Sequence, residues 1–275
     1  MSSQIGYFLG EKLEDSGIDL VCTSRCEQKS RPGCRFIRFD LSKDDPQTIR
    51  DVISDCDGLL SIAPIWNSLR LLPQFVDRRA VFIGSTSQFT KAGSSSSQER
   101  ALAQRIRESQ DAVIQSGTRY TILHPTLVYG TYQDRNIFTM IRFIERFGFF
   151  VLPPTTGMKQ PIFAGDIADA VLACLKTPAT IGKTYILSGK EPIDTEKMVK
   201  AIFRFLGKRP RIFRLSPRIL QWGVGLMGLD PAMIERMQEN IVYGHEEASR
   251  TFGFTPMTFE TGLKAYRRAS AHPDR

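Results

Sequence analysis

Short apolar runs and amphipathic stretches alternate along the first half of the chain. Helical spacing of apolar residues covers Ile5–Leu13, Pro46–Ile53 and Glu99–Gln115, and Ser16-Gly17 ends the first of these stretches. The apolar runs between them predict β-strands at Ile18–Thr23, Phe36–Leu41, Gly58–Ala63, Ala80–Ser85 and Tyr120–Leu123. Strands that alternate with helices predict an α/β fold with a Rossmann-like, doubly wound parallel sheet.

The pattern is less regular after Pro125. It predicts a strand at Thr184–Leu187, a last helix that ends near Tyr266, and helices at Asp166–Leu175, Thr195–Leu206 and Pro231–Glu239. We therefore expect a dinucleotide-binding core over residues 1–130. A small α/β substrate lobe over 131–275 would be interleaved with the last core strands, at about 160–188.

Composition narrows the class of protein. Hydrophobic residues make up 41% of the 275 residues and charged residues 24%, which is ordinary for a globular protein. The five cysteines include no CxxC pair and none of the three histidines has a partner at ligand spacing, so we expect neither a disulfide framework nor a metal site. Met1 leads into polar residues and no apolar stretch is long enough to span a bilayer, so we expect a cytoplasmic protein.

The formal charge is +8, and many basic residues lie between Arg204 and Arg218. Such a stretch fits either an anionic partner or a solvated helix end and loop. Because no nucleic-acid motif accompanies it, we expect no nucleic-acid partner.

The N-terminal residues match the end of a dinucleotide-binding turn. Such folds open with an apolar strand and a glycine-rich turn, and a helix follows whose N-terminus binds the pyrophosphate. Here the helix is present and the strand is absent, so Gln4, Ile5 and Gly6 are the cofactor contacts that the turn would supply. We expect a truncation or a misplaced start, and an ordinary N-terminal helix containing a glycine stays the alternative.

The ends of the next strands indicate the type of cofactor. The second strand of such a fold meets the adenosine ribose, where an acidic residue selects NAD and an arginine suits the 2′-phosphate of NADP. This strand ends in Thr23-Ser24-Arg25 with no acidic residue, so NADP is favoured over NAD; an arginine that is only a surface charge stays possible. Asp40-Leu41 and Ala63 follow later strands, where the rest of the cofactor would lie.

The order of motifs is similar to that of a known family. The chain carries Asp40-Leu41, Ser85-Thr86-Ser87, the stretch HPTLVYG at 124–130, QPIFAGDIADA from Gln160, and Gly253-Phe254-Thr255-Pro256. This order resembles the NAD-dependent epimerase/dehydratase family, the extended short-chain dehydrogenases/reductases that act on nucleotide sugars. The resemblance extends from Gln4 to about Tyr266.

The resemblance implies an oxidoreductase, epimerase or dehydratase whose lobe covers a nucleotide-sugar or similar substrate. It implies that Pro125 and Val128 line the nicotinamide pocket, and that Ser85 lies in the catalytic serine region. It also implies a possible homodimer, with Glu99–Gln115 as the candidate contact helix.

The chain departs from the family pattern at its catalytic pair, a tyrosine followed four residues later by a lysine. The tyrosine exchanges a proton with the substrate, and the lysine lowers the tyrosine pKa. None of the seven tyrosines has a lysine four residues later. The helix that should carry the pair offers Leu102 and Ile106, or Ala103 and Arg107. His124 also replaces an expected arginine.

Few residues could replace the missing pair. Ser85 and Ser87 follow a strand, and His124 and Tyr129 flank the predicted nicotinamide region, so these four are the candidate catalytic residues. Plain turn serines and a buried structural histidine stay possible. Two hypotheses follow: an NAD(P)-dependent enzyme with an atypical active site, and a non-catalytic protein of the same fold that is a sensor, scaffold or assembly partner.

Overall fold

The computed structural model describes residues 4–14, 17–25, 27, 33–132, 134, 136–220 and 232–270. Its strands are β1 (Leu20–Ser24), β2 (Cys34–Arg38), β3 (Gly58–Ser61), β4 (Arg79–Ile83), β5 (Arg119–Pro125), β6 (Val128–Tyr129), β7 (Phe150–Leu152), β8 (Met158–Lys159), β9 (Ile162–Phe163), β10 (Lys183–Leu187), β11 (Ile193–Asp194) and β12 (Ile212–Arg214). Its α-helices are α1 (Gln4–Glu14), α2 (Arg50–Ser54), α3 (Ser87–Thr90), α4 (Ser97–Gln115), α5 (Ile137–Phe147), α6 (Ala164–Lys176), α7 (Thr195–Phe205), α8 (Ala232–Gln238), α9 (Glu246–Phe252) and α10 (Phe259–Ser270).

A four-stranded parallel sheet forms the centre of the fold, in the order β10-β5-β4-β3. Its side chains alternate between two apolar clusters, as strand geometry requires. Val81 and Ile83 join the main core with α1 and α6, whereas Ala80 and Phe82 pack with Val113 of α4. The sheet is thus covered on both faces, which confirms the predicted α/β fold with a parallel sheet.

The predicted sheet is divided into two parts. β1 and β2 form a separate parallel pair, with Leu20 opposite Cys34 and Ser24 opposite Arg38. Among the described residues, no strand pairs with the outer edge of β3 or with the free edge of β1. A cavity of about 1340 Å³ extends along these strands.

The second half contains elements that the sequence pattern did not predict. Helix α5 buries Ile137, Ile141 and Ile144 along one face and ends at Gly148, which has the left-handed φ of 72° that favours glycine. Helix α9 and the short ladders β6-β9, β7-β12 and β8-β11 were also missed. The division into a core over 1–130 and a lobe over 131–275 stays a prediction.

Two further predictions concern membrane-spanning segments and the state of the cysteines. No helix of the described ranges is long and apolar enough to cross a membrane. Cys22 and Cys34 lie side by side on β1 and β2 as free thiols, with their sulfur atoms 3.3 Å apart. The cytoplasmic location stays a prediction.

The Arg79 guanidinium ties the amino ends of the central strands to α6. It donates to the Arg119 carbonyl at 2.7 Å, to Thr121 Oγ1 at 2.7 Å and to the Cys174 carbonyl at 2.9 Å. It also donates to Thr180 Oγ1 at 2.8 Å. Burial lowers the pKa of Arg79, but an arginine stays charged at any physiological pH. A single cation therefore satisfies acceptors on three elements.

We expect Arg79→Met to lower the free energy of unfolding by about 2–4 kcal/mol, because several part-buried acceptors lose a charged donor. Arg119→Met is the matched control, since that side chain is exposed at the start of the next strand; we expect it to change the free energy by less than about 0.5 kcal/mol. Urea denaturation of both variants is the measurement. Equal effects would contradict the assigned role of Arg79.

Candidate functional site

The carboxyl ends of β4, β5 and β10 meet at one edge of the sheet, where ligands bind in folds of this type. Hydrogen bonds hold the loops there in place. Thr86 donates to the Pro125 carbonyl through its backbone N–H at 3.2 Å and through its hydroxyl at 3.1 Å. Thr126 donates its N–H to the Leu187 carbonyl at 2.9 Å. This edge is the candidate functional site.

Two of the predicted catalytic residues, Ser85 and Ser87, lie at this edge. Ser85 Oγ accepts the backbone N–H of Ser87 at 3.1 Å, and Ser87 opens α3. Both side chains are half-buried. This contact is typical of a serine turn, and the Ser85 hydroxyl hydrogen is still able to donate to a ligand.

His124 lies at the same edge, near the end of β5, and is 3% exposed. Its Nδ1 lies 3.1 Å from Gln88 Nε2, and its ring is in edge contact with Phe89. Burial lowers the pKa of His124 to about 4, so the imidazole is neutral at neutral pH. A neutral imidazole binds a hydrogen-bond donor or accepts a proton, but it is a weak base at this pKa.

The backbone near His124 requires glycine. A Cβ on Gly84 would lie 2.4 Å from His124 Nδ1. The sequence analysis missed both Gly84 and Gln88 as partners of His124. The glycine that follows the strand was a visible signal, whereas the amide of Gln88 had none.

Tyr129, the fourth predicted catalytic residue, is fully buried. Its hydroxyl donates to the Phe259 carbonyl at 3.2 Å, and its ring packs against Phe163 and Phe259. Burial, together with the charge of Asp166, raises the pKa of Tyr129. The hydroxyl is thus engaged with α10, and proton transfer through it would require that helix to move.

Helix α4 presents no replacement for the missing pair on its buried face. Its sequence contains neither tyrosine nor lysine. Two residue pairs could occupy the tyrosine and lysine positions. In the pair Leu102 and Ile106, Ile106 is in the core; in the pair Ala103 and Arg107, Ala103 is buried and Arg107 is exposed. The roles of Ser85, Ser87, His124 and Tyr129 in catalysis stay predictions.

The first turn of α4 instead holds an ion cluster formed by Lys91, Ser94, Glu99 and Arg236. Glu99 Oε1 lies 2.9 Å from Lys91 Nζ and 2.5 Å from an Arg236 nitrogen, and Ser94 donates to Oε2 at 2.7 Å. Burial opposes ionisation of Glu99, but these partners outweigh it and lower its pKa. The cluster joins the core to α8.

The sequence analysis missed this cluster because Glu99 and Arg236 are 137 positions apart. An acidic residue in the first turn of a helix is a visible but non-specific signal, because it also fits the helix dipole.

The predicted phosphate-binding residues form the first turn of α1. Ile5 and Gly6 are buried and Gln4 is half-buried. Gln4 Oε1 is a buried acceptor without a hydrogen-bond partner among the described residues. Ser2 and Ser3, which the turn would include, lie outside the described residues.

The predicted adenosine-binding residues lie at the ends of β1, β2 and β3. Arg25 is exposed directly after β1. Asp40 Oδ1 accepts the Ser42 hydroxyl at 2.6 Å and its N–H at 2.9 Å; these bonds, and more weakly the Arg25 charge, lower the Asp40 pKa. Leu41 and Ala63 line the cavity of about 1340 Å³.

The predicted nicotinamide-side residues lie elsewhere on the same edge. Pro125 is buried at the end of β5. Val128 is half-buried in β6, where it pairs with Ile162 of β9. The cofactor candidates thus lie on several separate elements, and their roles in cofactor binding stay predictions.

Solved structures share this fold. The UDP-glucuronic acid 4-epimerase of Bacillus cereus, in complex with UDP-glucuronic acid and NAD, is 15% identical and matches 97% of this chain and 96% of its own, with a TM-score of 0.71. MoeE5 with UDP-glucuronic acid and NAD is 17% identical over 97% and 96% of the chains, with a TM-score of 0.74. The chain therefore has the Rossmann-like fold of the NAD-dependent nucleotide-sugar epimerases.

No family model matches the chain. One curated protein is similar in sequence: NADH dehydrogenase (ubiquinone) 1 alpha subcomplex subunit 9, mitochondrial, of Arabidopsis thaliana, which is 27% identical over 130 residues. The match covers 46% of this chain and 32% of that protein, so it spans about a third of the relative's length.

The low pKa of His124 predicts a pH effect on stability. Unfolding raises the pKa from about 4 to about 6.5, so the unfolded state binds the proton more tightly between these values. Stability from the neutral His124 is complete above pH 6.5 and is lost as the pH falls toward 4, by up to about 3 kcal/mol.

We expect His124→Asn to lose less stability than the parent protein between pH 7 and pH 4.5. Urea denaturation at both pH values measures this difference. Parallel losses in the parent and in His124→Asn would refute the assigned pKa.

Tyr129→Phe removes one hydrogen bond to α10 and keeps the ring packing. We expect it to lower the free energy of unfolding by about 1–2 kcal/mol, because a buried hydrogen bond to the Phe259 carbonyl is lost. Tyr132→Phe, at a side chain that is 44% exposed, is the control and should have no measurable effect. Thermal denaturation compares them, and no difference between the two would contradict the structural role of Tyr129.

Proposed function

We propose that this chain is a dinucleotide-binding protein that holds NADP(H) and acts as a sensor or assembly partner, without catalysing nucleotide-sugar chemistry. The observation that carries this proposal is the engagement of the candidate proton donors. Tyr129 is bonded to the Phe259 carbonyl, and His124 is buried with a pKa of about 4.

The catalytic helix supports the same conclusion. In the family that the sequence resembles, a tyrosine of lowered pKa makes proton transfer efficient at neutral pH. Here α4 has no tyrosine or lysine, and its first turn is engaged in the ion cluster around Glu99. The cluster ties α8 to the first turn of α4, so the charged side chains of that turn already have structural partners.

The preference for NADP rests on Arg25. Its guanidinium is exposed at the end of β1, where a 2′-phosphate would lie. The Arg25 charge also contributes, as the weakest of several causes, to the lowered pKa of Asp40 at the end of β2. The similar epimerase structures hold NAD, and the choice of NADP is specific to this proposal.

The assembly role rests on the curated relative. That protein is, by its name, a subunit of an NADH dehydrogenase. Sequence similarity to a subunit of a larger complex favours a role in which dinucleotide binding stabilises a surface for other proteins. The possible homodimer through α4 is a separate prediction, and the exposed Ile114 on that helix is its apolar contact.

A second candidate is an NAD(P)-dependent nucleotide-sugar epimerase or reductase in which His124 transfers the proton. One observation favours it: His124 lines a cavity of about 390 Å³ together with Phe89, Gly244 and His245. In this case His124 would act as the base, and Ser85 would bind the substrate hydroxyl.

Titration with NADPH and NADH tests the first candidate. We expect tighter binding of NADPH, and we expect Arg25→Ala to weaken NADPH about tenfold, or about 1.4 kcal/mol, without changing NADH. Arg50→Ala, at another exposed arginine, is the matched control. Equal affinities for both dinucleotides in the parent protein would overturn the role of Arg25.

Turnover distinguishes the two candidates. With UDP-glucuronic acid and either dinucleotide, we expect no epimerised or reduced product. Product formation that His124→Asn abolishes and His245→Asn preserves would replace the first candidate with the second.

A further inference from the structure

Two cysteine thiols lie against each other across the β1-β2 ladder. Cys22 Sγ is 3.3 Å from Cys34 Sγ, and both cysteines are in the reduced state. The register of the ladder places Cys22 opposite Phe36 and Cys34 opposite Leu20. The cysteines are therefore offset by two positions, and both side chains lie on the same face of the strand pair because side chains of a strand repeat every two residues.

The distance between the sulfur atoms is short enough for a covalent bond to form with little movement. The sulfur atoms of a disulfide are about 2.05 Å apart, so these two must approach each other by roughly 1 Å. Rotation about the Cα–Cβ bond of each short side chain moves the sulfur without moving the backbone. Cys56 has a different partner, since its Sγ donates to the Val52 carbonyl at 3.3 Å.

The spacing of the cysteines along the chain gives no signal of this contact. Cys22 and Cys34 are 12 positions apart, and only the parallel pairing of β1 with β2 brings them together. The expectation of no disulfide framework, which rested on spacing, therefore did not address a single pair of thiols joined by strand register.

The two thiols differ in their exposure. Cys22 is half-buried, whereas Cys34 is 6% exposed. Both residues line the cavity of about 1340 Å³. A small oxidant therefore reaches Cys22 first, and Cys34 lies directly behind it. An accessible cysteine next to a second, resolving cysteine is a common arrangement in reversible thiol oxidation.

We propose that Cys22 and Cys34 are a redox-modification site, which closes to a cross-strand disulfide in reaction with a small disulfide such as oxidised glutathione. The Cys22 thiolate attacks one sulfur of oxidised glutathione, whose S–S bond breaks and releases a glutathione thiolate. The Cys34 thiolate then attacks Cys22 Sγ and releases the second glutathione. The two cysteines lose two electrons and two protons, which leave in the two molecules of reduced glutathione.

The bridge reinforces a part of the fold that is held by a single ladder. Among the described residues, β1 and β2 pair only with each other. A cross-link that the native geometry accommodates stabilises the folded state, because it restricts the unfolded chain. This inference stands apart from the proposed function, since no dinucleotide takes part in the thiol chemistry. If NADPH fails to bind and the bridge still forms, only the proposed function fails.

Peptide mapping of the folded chain tests the proposal. The protein is incubated with oxidised glutathione, the remaining thiols are blocked with N-ethylmaleimide in urea, and the chain is digested without reduction. Trypsin places the three cysteines of this region on separate peptides, which are 13–25 with Cys22, 26–29 with Cys26 and 30–35 with Cys34. We expect the first and third peptides to be joined to each other and to separate on reduction.

Single variants separate the roles of the two thiols. Cys34→Ser leaves Cys22 without its resolving partner, so we expect a mixed disulfide with glutathione to accumulate on Cys22. In Cys22→Ser we expect at least tenfold less adduct on Cys34, because that thiol is buried. Cys56→Ser is the matched control, since Cys56 is half-buried and lines the same cavity. We expect it to form the bridge as the parent protein does.

Thermal denaturation gives a second readout. We expect the oxidised parent and the oxidised Cys56→Ser variant to have a higher Tm than their reduced forms, and the Cys22→Ser and Cys34→Ser variants to show no such gain. A bridge that contains Cys26, which lies outside the described residues, would overturn the proposal. Maleimide on both Cys22 and Cys34 after oxidation would overturn it too. A lower Tm in the bridged chain would do the same, because the bond would then distort the strands.

Discussion

A parallel strand is stable in a protein interior only when its backbone is paired and both its faces are covered, and the rest of this structure follows from that requirement. In the central sheet β4 and β5 meet it fully, and Ala80, Phe82, Ile122 and Leu123 are almost completely buried. At the amino ends of these strands the guanidinium of Arg79 replaces water for acceptors on three elements. At the outer edge of β3 the requirement is unmet among the described residues, and there the sheet divides and the large cleft lies.

The carboxyl edge has the opposite character, since several of its polar groups are already paired. Thr86 and Thr126 bind neighbouring carbonyls, and Gln88 binds His124. Burial of His124 favours the neutral imidazole because a buried cation loses its hydration with no charge nearby to compensate. The edge thus retains the shape of a ligand site while its titratable groups have structural partners, and this combination favours binding over proton transfer.

The ion cluster around Glu99 shows how the two halves of the chain are held together. A carboxylate that is nearly buried between Lys91 and Arg236 would be costly if either partner were removed. Such a cluster specifies one arrangement of α4 and α8 more strictly than apolar contacts do, because apolar contacts have no direction. The position of α8 against α4 is therefore determined by charge as well as by packing.

Features that depend on local periodicity were predictable from the amino-acid sequence. The 3.6-residue spacing predicted α1, α4 and α6, the apolar runs predicted β3, β4 and β5, and their alternation predicted the parallel α/β fold that the epimerase structures share. The absence of a tyrosine and lysine pair on α4 was also readable from the residues alone. The sequence analysis missed helix α5, whose Ile137, Ile141 and Ile144 follow a loop-rich stretch in which the apolar pattern was weak.

Which side chains are paired, buried or exposed depends on how distant parts of the chain pack together. The pKa of His124, the bond from Tyr129 to Phe259 and the contact of Glu99 with Arg236 join residues far apart in the chain, and no local pattern encodes them. Likewise, only the fold brought residues of β1 and β3 together along one large cleft. Periodicity is a property of neighbouring residues, whereas a cleft and its electrostatics arise when distant segments fold against one another.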